Sequence, residues 1–160
     1  MDDRIVFDDA YYMRLALDQA RRAFESGEVP VGAVAVRNGE IVARAYNSVE
    51  MLRDATAHAE ILALSIAAEA AGDWRMEDVT LYVTKEPCAM CAGAMVNARV
   101  GRVVYGMSDP RSGACGSALD VTGFPGMLWH TAVTGGVLAE EAGAMMRDFF
   151  RKIRKEKKTK

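Results

Sequence analysis

Two short motifs, His58-Ala59-Glu60 and Pro87-Cys88-Ala89-Met90-Cys91, lie thirty residues apart and constrain the fold more than anything else in this chain. Cys88 and Cys91 are three positions apart, so in a first helical turn they share one face. The free N–H groups of a helix start favour the thiolate that a metal requires. His58 with the two cysteines makes three ligands for a tetrahedral zinc, whose fourth position is then left to water. The intervening chain holds one helix and one strand, enough to bring two neighbouring helix starts to one point.

Each piece also has a plainer reading. A lone histidine is most often a surface or core residue. A lone Cys-x-x-Cys could be a redox pair or half of a structural zinc site. Pro87 ahead of the first cysteine and the absence of a thioredoxin-like order of elements weigh against the redox pair. A closed structural site needs a fourth ligand, and neither Cys115 nor His130 has partner spacing. Glu60 could be a simple helix charge. The pieces together, His-x-Glu with Pro-Cys-x-x-Cys, form the signature of the zinc deaminases, in which the glutamate moves protons and does not bind metal. A carboxylate suits that shuttle because a dry pocket raises its pKa.

The 160 residues are 51% hydrophobic and 26% charged, which suits one globular domain with a real core. We read a single domain over residues 1–160 with a basic helix end at about 151–160. No apolar run is long enough to span a membrane. The acidic start Met1-Asp2-Asp3-Arg4 lacks a secretory h-region, so a cytoplasmic protein is expected. Of three cysteines, two sit as Cys-x-x-Cys, which in a reducing compartment favours metal over a disulfide. A net charge of −2 excludes a uniformly basic nucleic-acid binder, but residues 151–160 carry seven basic side chains and one acid. That tail is either a solvated terminus or a phosphate-binding end.

Periodicity predicts a helix over Tyr11–Phe24 with Gly27 as its cap, then a hairpin of Val31–Val36 and Ile41–Tyr46 around Asn38-Gly39. A polar loop, 47–56, leads to a helix over Ala57–Ala71 with Thr56 as N-cap. Further strands are expected at Val79–Thr84, Val100–Tyr105 and Trp129–Val133. Helices are expected at Cys88–Ala98 and from Ala139 into the tail. Strands alternating with helices imply a mixed sheet covered on both faces.

At this point the chain resembles the bacterial tRNA-specific adenosine deaminase family. The resemblance rests on Thr56-Ala57-His58-Ala59-Glu60-Ile61 and on Glu86-Pro87-Cys88-Ala89-Met90-Cys91-Ala92-Gly93-Ala94-Met95. It extends to Gly27–Val34, Arg102–Gly106, Gly113–Ser117, Pro125-Gly126-Met127 and Asp148-Phe149-Phe150-Arg151. It implies a cytidine-deaminase-like α/β/α sandwich around a five-stranded mixed sheet. The activity implied is deamination of adenosine to inosine at the wobble position of a tRNA anticodon. One Zn2+ per subunit, a homodimer and an anticodon stem-loop substrate come with it. Residue by residue, it makes His58, Cys88 and Cys91 the ligands and Glu60 the shuttle. It sets Asn47 and the Ala59 backbone against the base. Asp109, Phe149, Phe150, Arg151, Lys152 and Arg154 become candidate RNA contacts. Two departures stand out. Asp54-Ala55-Thr56 replaces the usual Asp-Pro-Thr, and Leu128-Trp129-His130 stands where the family often has Asn-His.

Two other functions remain open on sequence. The same motif serves deaminases of a free base or nucleoside such as guanine or cytosine. A zinc-stabilised binding subunit would also fit the ligands, though it would have no use for Glu60.

Overall fold

The computed structural model describes residues 7–160; Asp2 and Asp3 of the acidic start lie outside them. Helix α1 (Asp9–Glu25) opens with Asp8 as N-cap, its carboxylate accepting from the Tyr11 amide at 2.8 Å. It closes in a Schellman turn. Gly27 takes φ 78°, and the Gly27 and Glu28 amides bond back to Phe24 and Ala23. The turn delivers the chain into β1 (Gly32–Arg37), which the Asn38-Gly39 turn reverses into β2 (Glu40–Tyr46). Both turn residues have positive φ, as a tight hairpin requires.

Next come α2 (Val49–Leu52), α3 (Ala59–Ala71), β3 (Val79–Lys85), α4 (Ala89–Asn97), β4 (Arg102–Met107), β5 (Ala132–Thr134) and α5 (Ala139–Lys158). The five strands lie in the order β2-β1-β3-β4-β5. β1 is antiparallel to both neighbours, while β3, β4 and β5 run parallel. The sheet is mixed, as expected.

Alternation along β1 assigns its two faces. Ala33 and Ala35 pack with α3 and α4 through Ala59, Ala63, Ala67, Ala92 and Met95. Val34 and Val36 pack with Tyr12, Met13 and Ala16 of α1. α5 lies beside α1 and crosses β3 and β4. The result is a three-layer α/β/α sandwich. Small residues let the layers close tightly: a Cβ on Gly32 would stand 2.1 Å from the Ala16 carbonyl oxygen.

Several boundaries differ from the sequence expectation for identifiable reasons. The loop 47–56 contains the short helix α2, whose amides are gripped by a distant carboxylate described below. Thr56 does not cap α3, because the Asp54 carboxylate takes both its amide (2.8 Å) and its hydroxyl (2.7 Å). His58 itself is the N-cap, and Cys88 holds the same position before α4. β4 starts at Arg102 because Arg99 turns with φ 58° and the Val100 amide bonds back to Met95. β5 starts at Ala132 because Trp129 Nε1 and Thr131 Oγ1 both donate to the Val100 carbonyl ahead of it. The basic end is helical to Lys158.

Candidate metal centre and substrate cleft

Two helix N-termini meet where the sequence predicts. His58 precedes α3, and Cys88 and Cys91 bracket the first turn of α4. His58 Nδ1 lies 3.6 Å from Cys88 Sγ and 3.5 Å from Cys91 Sγ, and all three ligand atoms fall within 4.8 Å of one another. This group can hold a metal ion. The Cys88 thiol is pulled down to about 3 by hydrogen bonds from Cys91 and His58. The Cys91 thiol is pushed up by its bond to Cys88 and by burial. The hydrogen bond to Cys88 raises the His58 pKa.

Glu60 stands in the first turn of α3, 4% exposed. Burial raises its carboxyl above the ordinary range, opposed by hydrogen bonds from its own backbone and from Cys91. It faces the same cleft as His58 and Cys88, a cavity of about 390 Å³. Asn47 enters from the end of β2. Its Nδ2 donates to the Val29 carbonyl at 3.1 Å, and its Oδ1 is buried with no partner among the described residues. Buried acceptors are nearly always satisfied, so an unpaired one in a cleft asks for a donor from a ligand. Ala59 also lines the cleft, at the helix position whose amide has no intrahelical acceptor.

The last helix forms one wall through Phe149, Phe150 and Ile153. Phe149 is 4% exposed and packs edge-to-face on Phe24 at 5.6 Å and on Phe150 at 5.4 Å. Phe150 is 42% exposed. Arg151 pairs with Asp148 at 3.3 Å, Lys152 stands over the Phe24 ring, and Arg154 is exposed beside Phe150. Asp109 is engaged within the protein. It pairs with Lys85 at 2.9 Å and accepts from Ser112 Oγ and from the amides of Arg111 and Ser112. Burial raises its carboxyl, but the bonds from Ser112 and Lys85 outweigh this and hold it well below the usual range.

Two buried carboxylates that sequence reasoning did not single out shape the cleft. Glu28 accepts from the amides of Glu50 and Met51 at 2.7 and 2.9 Å, holding α2 beside Asn47. Glu86 accepts from the amides of Asp109, Cys115 and Ser117, each at 3.1 Å, and from Ser117 Oγ. It ties the loop 109–117 to the arm that carries the cysteines. The available signal was an acidic residue beside Pro at the edge of an apolar strand, in each case Glu followed within two positions by proline. Cys115 is buried, and burial pushes its thiol up to about 12, so it is inert.

A family profile for MafB19-like deaminase matches residues 7–154. A tRNA-specific adenosine deaminase of Bacillus subtilis is 49% identical over 150 residues, which cover 94% of this chain and 93% of that one. A structure from studies of A-to-I editing by tRNA:A34 deaminases superposes with TM-score 0.82 at 42% identity, covering 84% of this chain and 98% of the other. A guanine deaminase from Nitrosomonas europaea superposes with TM-score 0.79 at 24% identity, covering 91% of this chain and 86% of that one, a likeness of fold.

Proposed function

The chain belongs to the tRNA-specific adenosine deaminases and to the MafB19-like deaminase family, and from that membership we propose that it converts adenosine to inosine at the wobble position of a tRNA anticodon. The observation that carries this reading is one cleft holding three convergent features. These are the His/Cys/Cys group, the buried Glu60 carboxyl and the unpaired Asn47 oxygen.

The metal is zinc. Zn–S and Zn–N bonds of about 2.3 and 2.0–2.1 Å at a tetrahedral angle put nitrogen and sulfur about 3.6 Å apart. The two separations here are 3.5 and 3.6 Å. Two thiolates and an imidazole are the donors this ion favours, and three protein ligands leave one position open. When bound, zinc supplies a polarised water at neutral pH.

The chain's own residues do the rest. Asn47 Oδ1 accepts a hydrogen bond from the purine edge, and the Ala59 amide sits at the positive end of α3, where developing negative charge is favoured. Glu60 removes a proton from the attacking water and places it on the ring nitrogen beside the carbon under attack. It then carries the second water proton to the departing amine. Ammonia leaves and the ring keeps a carbonyl. Phe149, Phe150 and Ile153 close the far wall, with Phe150 exposed enough to stack on a base.

An anticodon loop suits the site because its bases are already unpaired, which lowers the cost of extracting one. Residues 151–160 offer phosphate contacts along one helix. A homodimer is supported by the outer side of α3, where apolar residues stand beside the exposed Ser65 and Glu69. Beyond the sheet, it and its neighbours expose Ile66 and Trp74, at 43% and 49%. Ile61, Leu64, Ala94 and Ala98 line a shallow groove beside them. Among the described residues no helix is long and apolar enough to cross a membrane. The protein works in the cytoplasm, where its tRNA is.

The deciding experiment incubates zinc-loaded protein with a tRNA bearing adenosine at the wobble position. Guanine, cytosine and free adenosine are assayed in parallel. Inosine in the tRNA alone supports the reading; turnover of guanine or cytosine without tRNA replaces it with the free-base activity. Light scattering at micromolar concentration checks the dimer, which an Ile66→Asp substitution should break.

A further inference from the structure

We propose that Lys85 is a specificity-determining residue for this reaction, its ammonium taking a phosphate that flanks the target nucleotide. The inference rests on the deaminase reading and adds what separates a polynucleotide from a free nucleoside.

Lys85 ends β3, paired in register with Met107 at the end of the parallel strand β4. The carboxyl ends of parallel strands are where open α/β sheets take ligands. The residue is three positions before Cys88 and lines the cleft. Around it the described lining is acidic, with Glu28, Glu50, Glu60 and Glu86. Apart from the candidate ligand His58, Lys85 is the one basic side chain among those described residues. Glu28 and Glu86 are turned onto backbone amides, and Glu60 is buried. A polyanion entering such a cleft meets one cation on this wall.

The pairing with Asp109 aims that cation and does not exhaust it. An ammonium has three donors, and Asp109 takes one, at 2.9 Å. The Asp109 carboxylate also accepts from Ser112 Oγ and from the amides of Arg111 and Ser112. The Lys85 side chain is 30% exposed and lines the cleft wall. The basic end of α5 lies beyond Phe149 and Phe150, on another wall. A strand whose base enters between the walls would meet a cation on each side. A free base or nucleoside has no phosphate to offer Lys85.

The test uses an anticodon stem-loop RNA with a wobble adenosine, and two versions carrying one neutral methylphosphonate, either 5′ or 3′ of that adenosine. Wild type, Lys85→Met and Lys85→Arg are compared with zinc bound. Losing one charge-assisted bond should raise KM about tenfold with kcat little changed. It should also lower the slope of log K against log salt by about 0.7. Lys85→Arg should restore both. One of the two neutral linkages should cost wild type about the same factor and cost Lys85→Met nothing further. A structural role through Asp109 would instead leave both linkages fully additive with Lys85→Met, which overturns the inference. So would a Lys85→Met enzyme that matches wild type in KM and salt slope. A wild type that leaves the unmodified stem-loop unreacted overturns the deaminase reading and this inference with it.

Discussion

The side-chain amide of Asn47 donates to the carbonyl of Val29 at 3.1 Å, and this one bond decides which end of the amide faces the cleft. With Nδ2 occupied, Oδ1 is presented as an acceptor that nothing among the described residues meets. Asn47→Ala removes it. We expect kcat/KM on a wobble-adenosine stem-loop to fall about a hundredfold, since a site built around a hydrogen bond discriminates strongly once it is lost. Zinc content should be unchanged. Steady-state kinetics with metal analysis checks both.

Glu60→Ala should abolish turnover while zinc is retained, because the residue moves protons and does not hold metal. His58→Ala should lose both, since it breaks the ligand set. Metal content measured alongside single-turnover rates separates the two. Substantial activity in Glu60→Ala would move the shuttle to another residue.

Glu86→Ala should unfold easily. It strands the buried Cys115 amide, the half-buried amides of Asp109 and Ser117 and the Ser117 hydroxyl, all of which share one buried carboxylate. The loss should exceed about 3 kcal/mol, the scale for removing one partner of a buried charge-assisted network. Urea denaturation reads it, and hydrogen exchange should place the first opening in residues 109–117. Gly113→Ala should act through the same contact, because an added Cβ would stand 2.4 Å from the Glu86 carboxyl carbon.

Asp9 gives a pH-dependent prediction. Hydrogen bonds from Arg102, at 2.7 and 2.9 Å, lower its folded pKa, with Tyr82 adding a third. Its contribution is therefore complete above the unfolded value of about 3.9 and is lost as pH falls through the folded one. The pair is about one-third exposed, so the effect is about 1 kcal/mol, a shift of roughly 2–4 °C in Tm. Asp9→Asn should melt lower than wild type at pH 7, and the difference should close as pH falls below the unfolded carboxylate value and through the lowered folded one. A constant difference across that range would mean that charge is not its origin.

Much of this arrangement is legible in the residues themselves. The hairpin around Asn38-Gly39, the apolar strand cores and the meeting of His58 with Cys88 and Cys91 all follow from local pattern and spacing. What the pattern does not carry is capping and long-range polar contact. Thr56 reads as an N-cap until Asp54 claims it. α2 looks like loop because what holds it is Glu28, twenty-two positions earlier. Asp109 reads as a candidate RNA contact, and its ion pair with Lys85 at the end of a neighbouring strand is not visible in the pattern. Periodicity reports which face is buried and is silent on which carboxylate meets which amide. The membership in a deaminase family was legible in the motif, and the relatives bear it out.

The cleft wall formed by α5 is made after the residues of the metal group. A ribosome releases His58, Cys88 and Cys91 well before Phe149, Phe150 and Ile153, so the growing chain can gather its metal group while the site still lies open on that side. Only the final helix encloses it and brings the basic surface. A chain cut short before α5 would keep every residue of the chemistry and lose the enclosure, so the order of synthesis delays activity until α5 has emerged.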